Sequence, residues 1–356
     1  MTITVGIRCD AGPRTGVGHL VRCVALAEEL TAGGMAVHFL SDLGGLDWAA
    51  HQLASRGLPW HPAPYDAVGL VAAASRLGLD AVVLDSYELP PAQSRALRAS
   101  GRTVLAIVDG ELRGQEADVY VDQNLDAEQS TPALPPGAVR LAGLDYALLR
   151  RVVRELRPAT APMAGSGRTP EVVAFFGGTD AYRAAPVVGR LLIRTGLPWR
   201  ATIVAADDSL RRDLLALRPG PGQRLEVIAP TDRLPELLAA ADLAVSASGT
   251  STWELLCLGL PAALVWVVEN QAIGYGRTTA HGLAVGLGHL PALADGGHDA
   301  VDVLRELLAS PATRVALAGR AWAAVDGLGT ARVTEALREA VLARRATDQG
   351  LRPTPQ

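Results

Sequence analysis

The sequence of 356 residues contains no lysine; every one of its 33 basic side chains is arginine. With the heavy use of Ala, Gly and Leu, that bias points to a GC-rich genome and carries no functional message. Cysteine is nearly absent too. Cys9, Cys23 and Cys257 are too scattered for a disulfide framework, and no Cys-x-x-Cys spacing suggests zinc, so a reduced, cytoplasmic setting is expected. The start of the chain has neither the basic region nor the apolar run of a signal peptide. No apolar stretch reaches membrane-spanning length without interruption, so no membrane association is expected. A formal net charge of −4 offers no bulk attraction for nucleic acid. A Walker loop and a Gly-x-Gly-x-x-Gly fingerprint are both missing, which removes support for ATP hydrolysis and for dinucleotide redox chemistry.

Apolar residues make up 49% of the chain and charged residues 20%, enough to fill the cores of two ordinary domains. Short apolar runs alternate with longer helical patterns. In the first half "ITVGIR", "AVHFL", "AVVLD", "TVLAIVD" and "DVYVD" read as strands. "EVVAFFGG", "RATIVAA", "RLEVIAP", "LAVSA", "AALVWVV" and "AVGLG" do so in the second. Strand followed by helix, repeated, predicts parallel sheets covered on both faces. The fold class expected is therefore α/β, two tandem doubly wound Rossmann-like domains facing across a cleft. Their expected bounds are 1–154 and 171–325, joined by a Pro- and Gly-rich linker at 155–170. A closing helix at 326–345 packs back, and 346–356 form a disordered tail. In such sheets ligands collect beyond the carboxyl ends of the strands.

Two loops of the second half suit a diphosphate. "FFGGTD" ends a strand on Gly177, Gly178 and Thr179, and "SASGTSTWE" leads from a strand through Ser248, Gly249 and Thr250 into a helix. Glycines let backbone approach a ligand, and the open N–H groups of a helix start favour negative charge. Each loop also reads as an ordinary strand-to-helix turn with a hydroxyl cap. The Glu254 carboxylate suits ribose hydroxyls and the Asn270 and Gln271 amides suit sugar hydroxyls, but on the residues alone the favoured reading is a solvated helix-start glutamate and a polar loop. In the first half, "GVGHLVRC" puts His19 behind Gly16 and Gly18 where strand gives way to helix. An imidazole there can act as general base, with Arg22 one turn on along the same face.

Taken in order, "IRCD…GVGHLVRCVALAEEL", "LDSYEL", "VYVDQN", "GLDYALLR", "FFGGTD", "DLAVSASGTSTWELLCLGLPAALVWVVENQ" and "VDGLGTARV" resemble the blocks of the UDP-sugar hydrolases of pseudaminic acid biosynthesis. Spore-coat polysaccharide proteins of the SpsG type share that fold. The second half is more loosely similar to the UDP-N-acetylglucosamine transferase of peptidoglycan synthesis. The resemblance implies a GT-B architecture and a chemistry without metal or other cofactor. It matches His19 to a catalytic base and Tyr87 to an aromatic lining the sugar site. It matches Gly177, Gly178, Ser248, Gly249 and Thr250 to diphosphate loops, Glu254 to the ribose, and Asn270 with Gln271 to an amide pair near the sugar. Two departures fall on the acceptor side. An Asp-Asp pair becomes Asp109-Gly110, and Asn-Gln-Asn becomes Asp122-Gln123-Asn124.

The partners expected are a UDP-sugar and either a small-molecule acceptor or water. The altered acceptor half favours inverting transfer, with a nucleobase such as cytosine in antibiotic biosynthesis a conceivable acceptor. Hydrolysis to a free sugar and UDP is the alternative, and a non-catalytic nucleotide-sugar-binding protein is a third. A carboxylate on the sugar, as in UDP-glucuronate, would be met by Arg8, Arg14, Arg22 or Arg183.

Overall fold

The computed structural model describes residues 2–12, 17–64, 66–162 and 168–350, the side chains of 348–350 excepted. Gly16 and Arg14 lie outside the described residues, as do 163–167 and 351–356. The chain divides into two compact units: residues 1–151 with 328–356, and residues 152–327.

The first unit is built on seven parallel strands: β1 (Thr4–Cys9), β2 (Ala36–Ser41), β3 (Trp60–Pro62), β4 (Ala81–Asp85), β5 (Thr103–Ile107), β6 (Val119–Asp122) and β7 (Val139–Ala142). Their order is β3-β2-β1-β4-β5-β6-β7, so winding reverses between β1 and β4. Continuous apolar runs form the inner strands because both faces are covered. One face packs Ile7, Phe39, Val83 and Leu105 against Leu20, Leu26 and Leu30 of the helix Gly18–Ala32. The other packs Leu40, Val82, Leu84 and Tyr120 against Leu70 and Leu97. The edge strands β3 and β7 have no apolar run, being half exposed, and their sequences give no strand pattern.

The second unit repeats the scheme with β8 (Glu171–Phe175), β9 (Trp199–Val204), β10 (Gln223–Ile228), β11 (Leu243–Ala247), β12 (Ala262–Trp266) and β13 (Val285–His289). The order β10-β9-β8-β11-β12-β13 puts its reversal between β8 and β11. All six apolar runs read from the second half of the sequence are strands here. The start of the 155–170 segment is packed within this unit: Arg157 donates to the carbonyls of Cys257 (2.6 Å) and Trp322 (2.9 Å), and Trp322 Nε1 donates to the Pro158 carbonyl (2.9 Å).

The closing helix runs Gly329–Gly350 and belongs to the first unit. Val333, Leu337 and Val341, spaced for one helical face, are buried in that unit's core. Gly329 is required at its start, because a Cβ there would lie 2.5 Å from the Ala147 backbone.

Candidate functional site

In a doubly wound sheet the residues just past the carboxyl ends of the strands converge on one edge, nearest where the winding reverses. In the first unit that edge carries a linked polar cluster. Asp85 is the last residue of β4 and fully buried. Arg22, on the second turn of the helix after β1 and 3% exposed, donates from Nε to Asp85 Oδ2 (2.7 Å) and from a terminal nitrogen to Oδ1 (2.6 Å). The same guanidinium reaches Asp109, beyond β5, at 3.2 and 3.3 Å. Arg22 is thus held inside the protein between two carboxylates, an arrangement that balances a charge otherwise costly to bury.

His19 starts that helix one turn before Arg22. Its Nδ1 lies 3.8 Å from Asp85 Oδ1, and its ring meets that of Tyr87 edge-on, with centroids 4.7 Å apart. The helix begins at Gly18 with no side-chain hydrogen bond capping it, so its first N–H groups are not taken up by a capping side chain. Tyr87 donates its hydroxyl to Asp109 Oδ2 (2.6 Å), and Asn124 donates its amide to Asp109 (2.9 Å) and to Asp122 (2.9 Å). Arg140 faces Asp122 at 3.5 Å, and the Gly110 amide donates to the same carboxylate at 3.0 Å. Gln123 has a structural task, accepting from the Leu148 N–H.

These contacts set the charge states. Burial alone raises the Asp109 pKa, but the Arg22 charge and three donors outweigh it and hold the carboxyl well below the usual range. Burial would lower Arg22, yet Asp85 and Asp109 keep its pKa well above the ordinary value. Burial and the neighbouring Asp109 push the Tyr87 hydroxyl upward, so at neutral pH it stays a donor. Burial likewise raises the Cys23 thiol, which donates to Asp85 at 3.3 Å. Among the described residues, no group of three or more His, Cys, Asp or Glu side chains is arranged to hold a metal ion.

The second unit places the other motif residues at its own carboxyl edge. Gly177 sits at φ +74°, a left-handed conformation that glycine adopts without strain. Asp180, three residues on, is a helix cap: its carboxylate accepts from the Ala184 (2.8 Å) and Ala185 (3.0 Å) N–H groups, and burial pushes its pKa up to about 6. Past β11, Ser248 is buried and its N–H is spent on the Val265 carbonyl. The helix Ser251–Leu258 opens after Thr250 with no side-chain cap, and Glu254 is buried one turn in. Gln271 comes to this loop from beyond β12. Its amide oxygen accepts from the Val267 N–H (2.9 Å), while its amide nitrogen faces Gly249, 3.9 Å from where a Cβ would stand. Asn270 is exposed. A cavity of about 340 Å³ also opens on this unit, lined by Tyr182, Arg183, Arg190, Asp213 and Leu290 among others, and contains none of the motif residues.

The structure therefore gathers His19, Arg22 and Tyr87 in one unit and brings Gln271 to Gly249 in the other, with Thr250 next in that loop and Glu254 buried in the helix that follows. Sequence reasoning missed Asp85 altogether and noted Asp109, Asp122 and Asn124 only as departures. The available signal was a repeated pattern: β4, β5 and β6 each end in or run into an aspartate at the carboxyl edge.

No protein-family model matches the chain, and no curated protein sequence matches it. Solved structures do. MurG of Acinetobacter baumannii is 16% identical, the match covering 95% of this chain and 99% of that one, with a TM-score of 0.69. The UDP-GlcNAc 2-epimerase of Neisseria meningitidis, solved bound to UDP-GlcNAc, is 12% identical over 95% and 100%, with a TM-score of 0.62. The spinosyn rhamnosyltransferase SpnG, solved with thymidine diphosphate, is 14% identical over 94% and 100%, with a TM-score of 0.61. Two doubly wound α/β units in tandem, matched along nearly the whole length of these proteins, give the chain the GT-B fold.

Proposed function

We propose that the protein is an inverting glycosyltransferase that moves a sugar from UDP to a small-molecule acceptor. The observation that carries this reading is His19 at an uncapped helix start, its Nδ1 turned toward a buried aspartate and its ring braced by Tyr87. With Nδ1 facing Asp85, Nε2 is the nitrogen left to take a proton. In the step, the acceptor oxygen or nitrogen attacks the anomeric carbon while the bond from that carbon to the diphosphate breaks. The bonding electrons leave with UDP, and His19 receives the acceptor's proton. The second unit would hold the nucleotide: the helix Ser251–Leu258 starts with no side-chain cap, its Thr252 and Trp253 N–H groups donating to the Gly249 and Thr250 carbonyls, and the positive end of its dipole suits the departing diphosphate, while Glu254 suits the ribose. Gly177, Gly178, Thr179, Ser248, Gly249 and Thr250 complete that assignment, with Asn270 and Gln271 toward the sugar. Two fold neighbours are named for UDP-GlcNAc or UDP, which is in keeping with a nucleotide-sugar donor.

Hydrolysis is the second reading, favoured by the "GVGHLVRC" block that resembles UDP-sugar hydrolases; water then replaces the acceptor and the same base serves. Incubation with a panel of UDP-sugars, with and without nucleobase acceptors such as cytosine, separates the two. UDP released only with acceptor supports transfer, and UDP released by water alone supports hydrolysis. A protein that binds UDP-sugars and never releases UDP refutes both.

A further inference from the structure

Among the described residues, three arginines of the first unit are ion-paired near this edge. Arg8 is paired with Asp10, Arg22 with Asp85 and Asp109, and Arg140 with Asp122 and the carbonyls of Ala127 and Ser130. Arg113 differs. Its guanidinium lies over the Tyr87 ring, 4.2 Å from the centroid, and among the described residues it forms no ion pair. A guanidinium stacked by its face keeps the edges of its fork free, and those edges match a carboxylate in a bidentate pair.

The position is also fixed by the backbone. Arg113 has φ +49°, a left-handed conformation that costs a non-glycine residue strain, and it stands between Gly110 at +81° and Gly114 at +67°. The Gly110 amide is tied to Asp122 at 3.0 Å, and Asp109 and Glu111 bridge across the turn. A strained, tethered loop thus holds an unpaired cation on one side of Tyr87, the ring that also contacts His19. Asp109, the carboxylate that holds the Tyr87 hydroxyl, is already occupied by Arg22, Tyr87 and Asn124.

We infer that Arg113 is the receptor for a carboxylate borne by the molecule that reacts at His19, either a uronate sugar or an acidic acceptor. This rests on the proposed transfer and specifies its substrate class. Of the candidates for that task from sequence, Arg22 is committed to Asp85 and Asp109, and Arg183 to Asp213 in the other unit, while Arg8 is paired with Asp10 through one terminal nitrogen and its Nε is buried without a partner among the described residues. Arg14 lies outside the described residues.

The test is calorimetric binding to the whole protein and to Arg113→Gln, an exposed-loop change that leaves the core intact. Donor probes are UDP-glucuronate against UDP-glucose, with UDP alone as reference. Acceptor probes, added with UDP, are 4-aminobenzoate against 4-aminobenzamide. The expected result is that the wild type favours the carboxylate member of one pair by about tenfold or more, and that Arg113→Gln abolishes the preference with UDP affinity unchanged. The pair that responds tells donor from acceptor. No preference in either pair, a preference that survives in the variant, or equal weakening of both members overturns the receptor while UDP binding leaves the transfer reading standing. A wild type that binds neither UDP nor any UDP-sugar overturns the transfer reading and this inference together.

Discussion

Replacing Asp85 by asparagine separates two jobs that one carboxylate performs. Asp85 is fully buried, anchors Arg22 at 2.6 and 2.7 Å, and faces His19 at 3.8 Å. Asparagine keeps the volume and removes the charge. Arg22 then keeps one neutral acceptor, the amide oxygen at residue 85, besides its longer bonds to Asp109, and taking the charge from the main partner of a buried cation costs up to about 3 to 5 kcal/mol. That is a large share of the roughly 5 to 15 kcal/mol that holds a domain folded. Asp85→Asn is therefore expected to lower the urea midpoint clearly, and also to cut kcat by about 10² or more because His19 loses the group that orients its Nδ1. Arg22→Lys supplies the comparison. It breaks the paired bonds of the guanidinium and is expected to destabilise, but it keeps a cation against Asp85, so the Asp85 charge stays beside His19 and kcat should fall less than about tenfold. Both are measured as UDP release under conditions where each variant is folded, with UDP affinity as a control that neither should move. If Asp85→Asn turns over within about threefold of wild type, Asp85 does not orient His19 and the proposed mechanism loses its positioning group.

His19→Ala should lower turnover by about 10² or more while UDP affinity, measured by titration, stays unchanged; full turnover removes His19 from the mechanism. Glu254→Ala should weaken UDP binding, and equal affinity counts against the ribose assignment. Asp180 gives a pH effect whose sign is fixed. A carboxyl raised from 3.8 to about 6 stabilises fully below 3.8 and loses that contribution as pH rises through 6, a difference of about 3 kcal/mol. Denaturant unfolding of the wild type and Asp180→Asn at pH 3.5 and 7.5 should show the variant relatively more stable at the higher pH; a constant difference between the two proteins refutes it.

The repeated units were legible because buried parallel strands read as unbroken apolar runs, and "AVVLD" or "AALVWVV" allow little else. β3 and β7 were not, since "WHP" and "VRLA" are short, half-exposed edges with no such signature. At the site, His19 stood out through its glycine context and Arg22 through its spacing. The Arg22 environment could not be read, because Asp85 and Asp109 lie 63 and 87 residues away and only the strand order brings them together. Arg113 is the extreme case: nothing in "ELRGQ" distinguishes it, and only a left-handed turn and the ring beneath it set it apart.

The closing helix makes the two halves unequal as pieces of chain. The second unit, 152–327, is one unbroken segment that can be excised with a single pair of cuts. Its companion is stitched from both flanks, and a fragment stopping at residue 151 would leave bare the apolar floor that Val333, Leu337 and Val341 cover. Expressed alone, that fragment should aggregate, while co-expression with 328–356 as a separate peptide should restore a soluble, cooperatively melting complex.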